Sequence, residues 1–134
     1  MQKEPPMPEN GTHPLLQACI TAYREGQYEA AVAACRQVVD EAPYLFDAYF
    51  YLAAGLSGLG RSAEAVDVMQ DAQRVHPASA AVDYNLAELA RQMGREEEAR
   101  AYYESALQKA DSDTALDDPE ALRRRIRRKL AALG

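Results

Sequence analysis

At 134 residues the chain is about one ordinary domain, so one architecture must explain nearly all of it. Hydrophobic residues make up 48%, Ala is abundant, and 7 Gly and 7 Pro fall mostly between apolar segments, which points to helices. The formal charge of -6 is uneven: residues 119–134 set Glu120 against Arg123, Arg124, Arg125, Arg127, Arg128 and Lys129, a net +5, leaving -11 on residues 1–118. No stretch approaches the ~18 unbroken apolar residues of a membrane-spanning helix, and no signal-peptide core is visible, so the expected location is cytoplasmic.

In chain order, residues 1–11 are polar and proline-rich and are expected to be a disordered tail. From residue 12 the chain repeats itself. GQYEAAVAA, beginning at Gly26, returns as GRSAEAVDV from Gly60 and GREEEARAY from Gly94, each 34 residues after the last. With these glycines in one column, Ala31, Ala65 and Ala99 stand five places after, and Pro43, Pro77 and Asp111 seventeen after. Seven places before the Gly the column is small: Cys19, Ala53, Ala87. Three units follow, 12–45, 46–79 and 80–113.

Each column has a physical reason. A left-handed Gly closes the last turn of a first helix without steric cost, and Pro or Asp stops a second helix. Small residues let the two helices approach, while larger ones at Leu56, Met69, Tyr103 and Leu107 fill the remaining gaps. Beyond the third unit, Asp118 before Pro119 reads as a cap followed by a first-turn proline. Leu122, Ile126, Leu130 and Leu133 then recur at helical spacing, so residues 114–134 are expected to hold a capping helix.

The period, the small residue, the Gly and Ala columns and the terminal Pro resemble the tetratricopeptide repeat over residues 12–113. The aromatic usual near the start of the first helix is kept at Tyr49 but is Leu15 in the first unit and Asp83 in the third. The resemblance implies an all-α, right-handed superhelical solenoid of three helix-turn-helix units plus one C-terminal helix. It also implies a concave groove lined by the first helices. On this sequence the groove falls on His13, Leu16, Ile20 and Tyr23; Asp47, Phe50, Ala54 and Ser57; Ala81, Tyr84, Glu88 and Arg91, with Tyr51 and Asn85 adjoining.

Family members that capture acidic C-terminal tails of heat-shock chaperones use a clamp of lysines, asparagines and an arginine. The matching positions are Leu16, Ile20, Tyr51, Ala81 and Asn85, of which only Asn85 agrees, so that clamp is not expected. An apolar, tyrosine-bearing groove suits an extended peptide or amphipathic helix. The bland alternative is that Leu16, Phe50 and Tyr84 simply pack against neighbouring helices. Tyr23, Tyr51 and Tyr84 are the favoured contact residues, whereas Tyr28, Tyr102 and Tyr103, on second helices, are expected to be structural.

Catalytic signals are lacking. His13 and His76 have no metal-ligand spacing around them, no phosphate loop or nucleophile elbow appears, and Glu96, Glu97 and Glu98 read as a solvated first turn. No enzyme activity, cofactor or metal is expected. Cys19 and Cys35 are expected to be buried free thiols in a reducing compartment, with a disulfide between them as the alternative. The basic helix, with Arg123, Arg124, Arg127 and Arg128, suggests contact with an anionic surface, but the acidic body argues against nucleic acid and membrane. Its simpler reading is a solvated face balanced by Asp111, Asp113, Asp117 and Asp118.

The reading is therefore a non-enzymatic scaffold or chaperone that binds a protein or peptide partner. In size and groove character it is similar to the three-repeat chaperones of bacterial secretion systems. A self-assembling homo-oligomer and an anionic-surface binder are the alternatives.

Overall fold

Gly26, Gly60 and Gly94 adopt φ of 75°, 77° and 75°, the left-handed conformation that any other residue would occupy with strain. After Gly26 the chain closes the first helix in a Schellman arrangement: the Gly26 N–H donates to Tyr23 O and the Gln27 N–H to Ala22 O. Gly94 and Arg95 do the same onto Arg91 O and Ala90 O. The repeated glycine is thus a repeated chain reversal.

The computed structural model describes residues 13–133, and the tail expected to be disordered lies outside them. Among the described residues the elements are α1 (Leu16–Arg24), α2 (Tyr28–Glu41), α3 (Phe46–Gly58), α4 (Ser62–Val75), α5 (Ala80–Gln92), α6 (Glu96–Ala110) and α7 (Pro119–Ala132), with no strand. The all-α expectation holds, and the helix order follows the written repeat. The Asp118 carboxylate accepts from the Ala121 N–H at 3.0 Å with Pro119 opening α7, as the sequence indicates. The chain divides into two compact units, Met1–Gly60 and Arg61–Gly134.

In the first unit, α1, α2 and α3 pack on one another. Val38, Ala42, Leu45 and Ala48 form a buried cluster against which Leu15, Leu16 and Val39 pack. α3 approaches α2 closely because it is small where they meet. A Cβ on Gly55 would stand 3.1 Å from Val32, and one on Gly58 2.7 Å from the Tyr28 ring. His13 Nε2 meets Glu41 Oε1 at 2.9 Å, tying the approach to α1 to the end of α2. Hydrogen bonds from His13 and Gln37 hold the Glu41 carboxyl below the usual range.

Cys19 and Cys35 correct the expectation of free thiols: they form a disulfide joining α1 to α2, and both are fully buried. The reason is geometric. The columns seven before and nine after the turn glycine face each other across the hairpin, and here their Cα atoms are 5.0 Å apart, inside disulfide range.

In the second unit, Ala87, Ala90, Ala99, Tyr103, Ala106 and Ile126 form the core. The departure at Asp83 has a structural role. Fully buried on α5, its carboxylate accepts from Gln73 Nε2 at 2.9 Å and Ser105 Oγ at 2.5 Å, and it pairs with Lys109 Nζ at 2.8 Å. One side chain thus ties α4, α5 and α6 together, with its charge compensated. Ser79 caps α5 through the Val82 N–H, and Asp113 accepts from the Ala80 N–H at 2.8 Å.

Candidate functional site

In each unit, aromatic side chains on one face of the first helices stay half-buried while residues beneath them, among them Tyr49, are sealed. In the first unit, Leu16, Ile20, Tyr23, Phe50, Tyr51 and Ala54 are all of intermediate exposure, between buried Cys19 on α1 and buried Tyr49, Leu52 and Ala53 on α3. The Tyr23 and Tyr51 rings meet edge to face at 5.7 Å, bringing α1 and α3 together. Tyr28, expected to be structural, joins them, its ring 5.7 Å from Tyr23. Phe46 and Phe50, one turn apart on α3, make a second edge-to-face pair at 4.4 Å. Leu16 also packs on the core cluster, so it serves packing as well as the face.

Sequence position alone did not single out Phe46 or Tyr28. The available signal for Tyr28 was Gly58, since a glycine inside a helix often marks close approach of another group.

In the second unit, Tyr84, Glu88 and Arg91 share one face of α5. Tyr84 packs against the core cluster, with its ring 5.9 Å from that of Tyr103, and burial, then the Glu88 charge, raise its pKa. Glu88 is a hub: it accepts from Tyr103 Oη, pairs with Arg91 Nε at 3.1 Å, and meets Lys129 of α7 at 3.1 Å. Burial opposes ionisation of Glu88, but those donors outweigh it and hold its pKa below the usual carboxylate value. Tyr103 is pushed the other way, by burial and by the bond to Glu88. Asn85 spends its amide on Ala81 O, 2.9 Å away in its own helix.

Across from this face, the Arg125 guanidinium lies 5.9 Å from the centre of the Tyr84 ring, a cation–π contact. The other basic residues of α7 divide. Arg123 pairs with Asp111 and Glu120, and Arg127 reaches Glu120 at 3.8 Å. Arg124 and Arg128 are exposed and meet no carboxylate among the described residues. Of the acids expected to balance this helix, Asp111 does so, while Asp113 and Asp118 are engaged as helix caps. Arg125 and Lys129 belong to the basic stretch the sequence shows, but their partners Tyr84 and Glu88 lie on another helix and no local spacing indicates them.

Among the described residues there is no group of three His, Cys, Asp or Glu able to hold a metal ion, and no helix long and apolar enough to cross a membrane.

Residues 55–114 match the family model for the tetratricopeptide repeat. No curated protein matches the chain in sequence. Among solved structures, PcrH from Pseudomonas aeruginosa is similar with a TM-score of 0.81 and 20% identity, over 95% of this chain and 94% of that one. PcrH in complex with the chaperone-binding region of PopD has a TM-score of 0.79 at 20% identity, over 96% and 94% of the two chains. The Yersinia enterocolitica type III secretion chaperone SycD, in complex with a peptide of the translocator YopD, has a TM-score of 0.77 at 18% identity, over 89% and 88%. At these identities the likeness is one of fold.

Proposed function

From the match of residues 55–114 to the tetratricopeptide repeat model we propose that the chain is a non-enzymatic peptide-binding chaperone or scaffold. Its first-helix faces take apolar segments of a client protein. The observation that carries the reading is the aromatic face of the first unit: Tyr23, Tyr51, Phe46 and Phe50 stay half-exposed above a sealed core, Tyr23 on the cross-linked α1–α2 hairpin and the others on α3 packed against it. Half-exposed aromatics on rigid helices bury apolar area on binding with little ordering cost to the protein, so that cost falls mainly on the ligand. Covering the exposed part of one such half-buried ring contributes about 1 kcal/mol. In the similar structures PcrH holds the chaperone-binding region of PopD and SycD a peptide of the translocator YopD, which agrees with a client segment as ligand.

The test is affinity capture from native cell extract with the unmodified chain and with Phe50→Glu, both shown to be helical by circular dichroism. The expected result is a protein retained by the first and lost by the second. Identical retention by both removes the aromatic face from the binding site. Mass that rises with concentration in the purified protein, with no partner captured, points instead to self-assembly.

A further inference from the structure

The six cations of α7 are sorted by partner. Arg123, Arg127 and Lys129 face carboxylates, whereas Arg124 and Arg128, one turn apart and on one side of the helix, do not. Arg125 lies between them in sequence, exposed except where it covers Tyr84. Nearby Glu88 adds little free negative charge, because Tyr103, Arg91 and Lys129 already engage its oxygens. The result, wholly within the second unit, is a half-buried tyrosine covered by the Arg125 guanidinium, with Arg124 and Arg128 exposed on the same helix without carboxylate partners.

We propose that this face docks an acidic peptide segment, one that lays an apolar side chain on Tyr84 and brings Asp or Glu to Arg125, Arg128 and Arg124. The proposal rests on the peptide-binding reading above and specifies the chemistry of the segment. A client covering Tyr84 takes water from Arg125, and a desolvated guanidinium without a counter-charge is costly. A purely apolar segment is therefore disfavoured here. Carboxylates match the planar fork of arginine and can bind it through two hydrogen bonds. The charge balance favours a peptide over other anions. Residues 1–118 carry -11, so an extended polyanion or an anionic bilayer, reaching well beyond the Debye length of about 8 Å, meets that acidic remainder as well. A short segment meets mainly the arginines.

The test is selection of a random linear peptide library, displayed on phage, against the full chain and against Arg124→Glu/Arg128→Glu, with Arg124→Gln/Arg128→Gln as a milder copy if the first misfolds. Enriched peptides are expected to carry Asp or Glu beside an apolar residue. Their affinity is expected to fall about tenfold or more when those acids become Asn or Gln. Changing the acids to Lys is expected to restore binding to the charge-reversed variant. Enrichment of apolar peptides without acids, binding chain and variant equally, overturns the acidic assignment and leaves the peptide-binding reading standing. No enrichment at all overturns both. A single-stranded oligonucleotide or phosphatidylserine vesicle that binds more tightly than any enriched peptide, and loses that binding in the variant, assigns the face to a polyanion and overturns the proposal.

Discussion

Between α1 and α2, the columns seven before and nine after the turn glycine hold Cys19 and Cys35, joined covalently. Between α5 and α6 the same columns hold Ala87 and Tyr103, a small residue and a fully buried large one in a common cluster. Eleven places before the glycine the contrast recurs. Tyr49 is sealed in the first unit with its pKa raised by burial, and Asp83 is sealed in the second with three polar partners. One period can therefore be filled by a cross-link and aromatic burial or by volume and a compensated charge. What it fixes is the distance between helices rather than the chemistry that spans it.

The largest effect expected from breaking this comparison is Tyr103→Ala, which removes the central side chain of the second unit's core and releases Glu88. A loss of about 3–5 kcal/mol is expected. Amide hydrogen exchange should show it concentrated in α5, α6 and α7, and equal deprotection of α1 and α2 would contradict it. Next is the cross-link, which closes a sequence separation of 16 residues. Replacing both cysteines by Ala is expected to cost about 3 kcal/mol, measured by urea denaturation, and to deprotect α1 first. Asp83→Asn keeps the shape but leaves Lys109 without its counter-charge. A loss of about 1.5–3 kcal/mol is expected, and a larger loss in Lys109→Met than in the double variant would show that the pair is coupled.

Gly26→Ala and Gly94→Ala serve as a matched pair, since both glycines have the same positive φ and nothing within 4 Å of an added Cβ. Each is expected to cost about 1–2 kcal/mol, so unequal values would show that the hairpins differ in more than their fillings. The smallest effect is one of pH. The folded-state pKa of Glu88 lies below its unfolded value, so its contribution is fully present above the unfolded pKa near 4.5 and is lost as pH falls through the folded one. Urea midpoints of the protein and Glu88→Gln should therefore converge in acid, and parallel curves would remove Glu88 from the ledger.

The fold was legible because its signals are local and periodic. Gly26, Gly60 and Gly94 mark reversals, Asp118 and Pro119 mark a helix start, and the apolar stripe of α7 marks its buried side. What lay opposite each stripe was less legible. Asp83 looked like a missing aromatic because a period gives the phase of a residue on its helix and not its partners on others. Those partners, Gln73, Ser105 and Lys109, are 10, 22 and 26 residues away. The Cys19–Cys35 bond was the less favoured reading because composition argues for free thiols, whereas the pairing depends on which positions of α1 and α2 face each other across the hairpin. The candidate faces follow the repeat in outline. Phe46, Tyr28 and Arg125 enter through ring contacts that depend on side-chain conformation.

The buried disulfide has a kinetic consequence. Thiol–disulfide exchange requires a thiolate to reach one of the sulfurs along the bond, and neither Cys19 nor Cys35 is accessible to solvent. A reductant can act only on molecules in which α1 has swung away from α2, so the rate of reduction under native conditions counts those openings. If a client braces the aromatic face of the first unit, it should slow that clock without touching either sulfur.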